Sequence, residues 1–457
     1  MQYLKKRWSE EGGYRQLLVI AIPLIVSTGA WSIQNFVDRM FLAWYSPETI
    51  AAASPAGILF FVVISLFFGT AGYMSTFVAQ YYGAGRYHRI GPAIWQGIYI
   101  SVIGGLITIS LIPFAGSIFH LIGHDILVQK EEVTYFRVLC FGGGPSIASS
   151  AISGFFAGRG RPWPIMWVTC FATVVNIILD YALIFGNWGL PEMGIKGAGI
   201  ATVISQVFSM VTYMTLASRR SNNKTYHTLK GWKPEKDLIV RILRFGLPSG
   251  VHFFLDIGAF TVFILIIGHL GTNSLAATNI AFNINSLAFM PMLGCGMAIS
   301  VLVGQYLGDN MPDLAERTAY SGFHIVLIYM VTLSLAYVLI PDFFVGAFAA
   351  KADPDRFAEI YNLSVVLLRF VAVYAAFDGM IIVFASAIKG AGDTRFVMFM
   401  IVIASVAVLI VPTFTAVIIL GYGIMACWFF ASSYVIILSF IFYFRFLRGK
   451  WKSMRVI

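Results

Sequence analysis

The sequence predicts an all-α polytopic membrane protein, with twelve transmembrane helices in two six-helix repeats around a central cleft. Three observations predict it. The 457 residues are 59% hydrophobic and only 11% charged, with a mean hydropathy of +0.81, outside the range of a soluble domain. Apolar runs long enough to cross a hydrocarbon core of about 30 Å recur along the whole chain. The two halves also resemble each other in sequence.

Taken in order, the first run covers 16–44, opens with "IPLI" and carries Gln34, Asn35, Asp38 and Arg39. It is too long for a cleavable signal peptide, contains Asp38 and lacks a small-residue cleavage site. The second run, 53–80, leads into "AQYYGAGR", and the third covers 92–119. The fourth, 133–157, holds "GGGP" at 142–145, expected as a helix distortion or close packing point and not a phosphate cradle. The fifth, 163–186, contains "NIILD", and the sixth, 197–217, contains Thr202. A long polar, basic connection follows at 218–239, so the expected domains are 1–217 and 240–457 on either side of it. The remaining runs are 240–268, 279–306, 319–348, 363–388, 396–420 and 423–446.

The net charge of +10 is explained by where the cations fall. Lys5, Lys6 and Arg7, Arg86 and Arg89, Arg159 and Arg161, the 218–239 segment, Lys389 and Arg395, and the carboxy-terminal group from Arg445 to Arg455 occupy alternate loops. This is the positive-inside pattern and places both termini in the cytoplasm. The opposite loops carry Glu48, Asp125, Glu131, Glu132, Glu192, Asp342, Asp353, Asp355 and Glu359. Basic residues spread over loop ends, without interleaved exposed aromatics, argue against nucleic acid. Cys140, Cys170, Cys295 and Cys427 sit singly in apolar runs, with no metal spacing or disulfide framework.

At an offset of 225, Pro23 meets Pro248, Gly69 meets Gly294, and "AQYYG" at 79–83 meets "GQYLG" at 304–308. Further on, "FFAGRGRP" at 155–162 resembles "SAIKGAGD" at 386–393. Six spans per half keep both repeats in the same orientation, related by an axis along the membrane normal.

Asp38, Asp180, Asp256 and Asp378 lie within predicted spans. Each costs about 2.5 to 3.5 kcal/mol at a helix centre on insertion scales. Such a carboxylate can take up a proton or lend charge to a cation, two things an amide cannot do. Gln34 and Asp38, and Asn176 and Asp180, are each four residues apart and so share a helical face. If these faces meet, their oxygens, with Thr202 as a further donor, suit a hard cation such as Na⁺. Pro23, Pro248 and the glycines at 142–144, 294 and 296 are candidate bending points, each equally readable as a packing contact.

Twelve spans in two repeats, "IPLI" with an Asp fifteen residues after Pro23, "AQYYGAGR", "NIILDYALIFG", "GLP" at 246–248 with an acid eight residues on, and "AIKGAGDT" eleven residues after an acid together resemble the multidrug and toxic compound extrusion (MATE) family. The resemblance covers nearly the whole chain and is closest to the prokaryotic NorM-like branch. It implies a cell-membrane antiporter that exports amphipathic, often cationic compounds in exchange for Na⁺ or H⁺, with no organic cofactor and as a monomer. It also implies a coupling set of Asp38, Asn176, Asp180, Thr202, Asp256 and Asp378. Gln34, Asp38, Asp256 and Asp378 are then the candidate substrate contacts, and Asp38, Asn176 and Asp180 the candidate Na⁺ ligands. The branch often has Glu where Asp256 stands here. Both acid sets are present, so coupling in the first lobe, the second or both stays open.

The nearest competing function is a flippase for lipid-linked saccharides or cell-wall precursors. That cargo calls for a cationic cavity, whereas the central ionisable residues here are acidic. Neither HExxH, GxSxG nor GxxxxGK[ST] occurs, which leaves membrane-embedded hydrolases and ATP-driven pumps without their usual signatures. A channel would be expected to show a repeated filter motif, and none is evident.

Overall fold

The computed structural model describes residues 7–349 and 354–457. Lys5, Lys6 and Asp353, and the side chain of Asp355, lie outside the described residues. Among the described residues there is no strand. Twelve helices are long and apolar enough to cross a membrane: Tyr14–Tyr45, Pro47–Gly83, Tyr87–Ile122, Ile126–Gly158, Trp163–Phe185, Ile195–Ala217, Lys236–Gly268, Ala288–Gly308, Pro312–Leu339, Phe357–Ala391, Thr394–Ile419 and Ile424–Leu447. They are spans 1 to 12 below.

Local chemistry sets several of their ends. Span 2 starts where Ser46 Oγ accepts from the Thr49 amide, with Pro47 at the first helical position and Glu48 in the first turn. Span 5 stops at Gly186, whose φ of +69° is a conformation glycine adopts without a Cβ penalty.

Several boundaries differ from those expected, those of spans 4 and 9 among them. Span 4 begins at Ile126, seven residues early, because Asp125 caps the helix by accepting from the Leu127 amide at 2.9 Å. Glu132 is therefore no loop residue: it is fully buried, with Oε1 2.6 Å from His124 Nδ1. The expected run 319–348 is broken at Ile340, ahead of Pro341, into span 9 and a separate helix Pro341–Ala349. Proline disfavours helical backbone in the residue before it, and Ile340 has φ −133°. Span 11 contains two π-helical segments, Ser405–Ile410 and Thr415–Ile419, on either side of a short helix bearing Pro412. Wider turns of this kind accompany a missing proline N–H.

Contacts divide the chain into two compact units. The amino-terminal unit is Val26–Phe254 with Gly308–Asn310 and Val456–Ile457; the carboxy-terminal unit is Leu255–Leu307 and Met311–Arg455 with the chain up to Ile25. These limits differ from a division at 218–239. The basic connection belongs to the amino-terminal unit, where Arg89 grips Glu235 with two nitrogens at 2.8 and 3.2 Å. Trp95 Nε1 also donates to the Thr228 carbonyl at 2.7 Å. Both limits near the proline positions, Ile25 and Phe254, fall inside spans 1 and 7.

Small residues allow the helices of each unit to close on one another, as in membrane bundles generally. In the amino-terminal unit a Cβ on Gly142 would stand 2.1 Å from Gln206 Oε1, and one on Gly143 would stand 2.5 Å from Thr108 Oγ1. "GGGP" is thus a close packing point. In the carboxy-terminal unit Gly294 packs on Ile25 and Gly296 on Ser386 in the same way.

The repeat is visible at atomic level. A Cβ on Gly158 would meet Ser75 O at 2.6 Å, and one on Gly390 would meet Ser300 O at 2.6 Å. Gly160 and Gly392, two residues later in each case, both have positive φ. The offset in this part of the chain is therefore 232, one more than the match of "FFAGRGRP" to "SAIKGAGD" gives.

Candidate functional site

In the amino-terminal unit, two helical stripes carry the polar residues inward. Along span 5, Val168, Ala172, Asn176, Asp180 and Ile184 recur every four residues and are all buried. Along span 1, Ala30, Asp38 and Leu42 are buried on the stripe that also holds Gln34. Apolar neighbours fix the register: Phe41, Leu42, Phe60, Ile64, Tyr135 and Phe136 form one core cluster around the end of span 1.

These stripes bring Asp38, Asn176 and Asp180 into contact: the i to i+4 spacing placed each pair on one face, and the packing of span 1 on span 5 joins the two faces. The Asn176 amide nitrogen faces Asp38 Oδ1 at 2.9 Å and Asp180 Oδ2 at 3.2 Å, the orientation that lets it donate to both carboxyl groups. The Gln34 amide lies 3.2 Å from the same atom. The two carboxyl groups therefore face each other across the one amide nitrogen. Asp38 is 8% exposed, and Asn176 and Asp180 are fully buried. Arg39, next in sequence, is exposed.

Two buried carboxyl groups sharing one amide call for a positive charge or a proton between them, since like charges so close are unfavourable in a buried site. Asp180 Oδ1 and Thr202 Oγ1 are buried with no partner that satisfies hydrogen-bond geometry. Orphaned buried oxygens call for an explanation. Carboxylate, hydroxyl and amide oxygens are the donors that a hard cation takes, so the residues present fit Na⁺ as well as H⁺. Among the described residues no group of three or more His, Cys, Asp or Glu could hold a metal ion.

Tyr135 was not singled out from the sequence. It comes from span 4, is buried, and lies beside Asp38, Asp180 and Thr202. Its signal is faint, because a lone tyrosine in "VTYFRVL" looks like any aromatic packing residue.

In the carboxy-terminal unit, Asp256 of span 7 and Asp378 of span 10 are electrostatic neighbours. Both are half-buried. Tyr434 of span 12 feels both acids and has its hydroxyl 3.3 Å from Ser405 Oγ of span 11. Tyr374 stands one turn before Asp378 on the same helix. The predicted substrate residues therefore fall into two pairs, Gln34 with Asp38 in one unit and Asp256 with Asp378 in the other.

Lys389 corrects the charge pattern. It was assigned to a cytoplasmic loop, but it lies within span 10, in the last turn of the helix Pro354–Ala391, and its charge acts on Asp256. A signal was present in the sequence: Asp378 and Lys389 are eleven residues apart, three helical turns, on one face of one apolar run.

A family model, MatE, matches residues 23–182 and 248–415. A "Probable multidrug resistance protein NorM" from Bradyrhizobium diazoefficiens is 29% identical over 394 residues, covering 83% of this chain and 81% of its own length. Among solved structures, the outward-facing conformation of a multidrug resistance MATE family transporter of the MOP superfamily superposes with a TM-score of 0.88 at 19% identity, over 98% of both chains. A MOP superfamily transporter from Pyrococcus furiosus Vc1, described as having a binding pocket of reverse polarity that suggests a different function, superposes with a TM-score of 0.87 at 20% identity, again over 98% of both.

Proposed function

We propose, from the premise that the chain belongs to the MatE family of membrane transporters, that it exports amphipathic organic cations across the inner membrane in exchange for Na⁺ or H⁺. The observation that carries this is the contact of Asp38, Asn176 and Asp180, with the buried Asp180 Oδ1 left without a hydrogen-bond partner. A coupling ion entering from outside joins the two carboxyl groups and satisfies these oxygens. Its departure to the cytoplasm leaves two adjacent negative groups, a state unstable enough to favour a different arrangement of the span 1 and span 5 stripes. Alternating access links that change to release of an organic cation held by Gln34 and Asp38, or by Asp256 and Asp378. The drive is adequate, because one charge moved through 100 mV is worth about 2.3 kcal/mol. The positive-inside pattern supports cytoplasmic termini, and a monomer with no organic cofactor suffices for this cycle.

The test is efflux of a fluorescent organic cation from proteoliposomes under an imposed Na⁺ gradient, a pH gradient or neither. Concentrative exchange is expected with one gradient, which then names the ion. Intact protein that responds to neither gradient with several cations would overturn the antiport reading in favour of lipid-linked saccharide flipping.

A further inference from the structure

The basic connection 218–239 is bonded along the early turns of span 3. Besides the holds of Arg89 on Glu235 and of Trp95 on Thr228, Gln96 Nε2 donates to the Lys233 carbonyl at 3.3 Å and the Tyr99 hydroxyl donates to the Trp232 carbonyl. Gly91 is packed so closely on the connection that a Cβ there would stand 2.3 Å from the His227 carbonyl oxygen.

A crevice lies beside these bonds. Ile94 and Ile98 of span 3, Ile152 and Phe155 of span 4 and Met214 of span 6 give it apolar walls, and Thr228 of the connection is part of its lining. Its space of about 270 Å³, some of it open to the surroundings, falls below the roughly 300 to 1,000 Å³ of a drug-sized site. A single hydrocarbon chain lying along the helices suits that size and lining. Thr228 is 8% exposed, and its hydroxyl is buried without a hydrogen-bond partner, so the lining also holds an unanswered polar group.

The charge around the crevice is positive. Arg219 and Arg220 follow the lining residue Ser218, and Lys230 stands two residues after Thr228. All three are exposed and, among the described residues, form no ion pair. Behind one wall, the buried Arg159 has its guanidinium 3.6 Å from the centre of the Phe155 ring. It donates to the Phe155 carbonyl and to Asn222 Oδ1, and pairs with no acid among the described residues. A buried cation without a carboxylate leaves its charge uncompensated. The acids of the connection are Glu235, taken by Arg89, and Asp237, in the first turn of the helix that forms span 7. A soluble anion would use the cations and leave the apolar walls idle. The exposed Trp232 beside Lys233 is a pairing found where a protein meets the headgroup layer.

We infer that the connection and the adjoining ends of spans 3, 4 and 6 bind an anionic phospholipid, with one acyl chain along the crevice and the phosphate taken by the Thr228 hydroxyl and by Arg219, Arg220 and Lys230. The lipid bridges the connection to three helices of the amino-terminal unit and stabilises that unit. The site is separate from the Asp38, Asn176 and Asp180 cluster and does not depend on which ion drives transport.

The experiment titrates the purified full-length chain, in neutral detergent, with phosphatidylglycerol, with phosphatidylcholine of the same chains, or with inorganic phosphate. Melting temperature and lipid retained in native mass spectrometry are the readouts. The variants are Arg219→Gln/Arg220→Gln/Lys230→Gln, Thr228→Val and a control, Arg395→Gln/Arg448→Gln/Lys450→Gln, which removes three exposed cations from the carboxy-terminal unit. The wild type is expected to retain phosphatidylglycerol in preference to phosphatidylcholine and to melt higher with it. The first variant should weaken retention at least about tenfold, since each basic residue near a lipid surface contributes about 1 kcal/mol. Thr228→Val should weaken it about threefold, the scale of one hydrogen bond, and the control should match the wild type. An equal loss in the control would reduce the effect to general surface attraction and overturn the site. Equal retention of phosphatidylcholine, or a wild type that retains neither lipid, would also overturn it. Stabilisation by inorganic phosphate as large as that by phosphatidylglycerol would show that the cations hold a soluble anion and that the crevice takes no part.

Discussion

The two units carry the same packing device and different charge. Gly158 closes on Ser75 as Gly390 closes on Ser300, at the same 2.6 Å, yet the acids stand at positions that the repeat does not relate. At the offset of 225, Asp38 corresponds to Phe263 and Asp256 to Trp31; at 232, Asp378 corresponds to Ser146 and Lys389 to Ala157. The amino-terminal acids are buried and braced by the amide of Asn176, which reaches both. The carboxy-terminal acids are half-buried, and a lysine of the same unit acts on one of them. Duplication thus preserved the backbone contacts, which depend on the absence of a side chain, while the ionisable residues diverged. Each set of acids has a basic side chain of its own unit in electrostatic reach, Arg39 for Asp38 and Lys389 for Asp256.

The largest expected effect breaks the amino-terminal side of this contrast. Asp38→Asn or Asp180→Asn should each lower ion-driven efflux at least tenfold, and should also remove the rise in melting temperature that the coupling ion gives the wild type. A ligand at a hundred times its Kd stabilises by about 2.7 kcal/mol, well within the range of a thermal-shift titration with Na⁺ at fixed pH. A wild-type protein indifferent to Na⁺ and stabilised by acid would identify the ion as H⁺.

Asp378→Asn sharpens the contrast from the other side. It should reduce efflux of organic cations by several-fold while leaving the ion-dependent thermal shift intact, because the Asp38 to Asp180 contact lies in the other unit. Loss of the shift in this variant would mean that the coupling ion binds the carboxy-terminal acids.

Gly158→Ala and Gly390→Ala test the shared scaffold. An added Cβ would meet a backbone oxygen at 2.6 Å in either unit, and overpacking of this kind costs about 1 to 3 kcal/mol. Similar losses of melting temperature are expected from both, and a loss confined to one would show that the units tolerate crowding unequally. The smallest effect belongs to Arg317→Ala. Arg317 pairs with Glu10 at 3.2 Å, but the two side chains are 43% and 31% exposed, and exposed pairs contribute about 0 to 1 kcal/mol. Its melting temperature should stay close to that of the wild type.

All twelve spans were legible in the sequence, because hydropathy is a sum over neighbouring residues and the bilayer imposes a minimum length on each run. The contact of Asp38 with Asn176 and Asp180 was partly legible. The four-residue spacing identified both faces, but that the two faces meet depends on packing across some 140 residues of chain. Glu132 and Lys389 were misplaced for a common reason. A charge near the end of an apolar run reads as loop unless a partner is known, and the partners are His124 beyond the helix cap in one case and Asp256 on another span in the other.

The sequence by itself determined that this is a twelve-span membrane protein of duplicated construction, with acids placed where they need a cation or a proton. Tertiary structure decided which of those acids touch and which remain apart. The physical reason is that insertion into a bilayer is decided segment by segment, whereas the neutralisation of a buried charge is decided only by what another helix brings beside it.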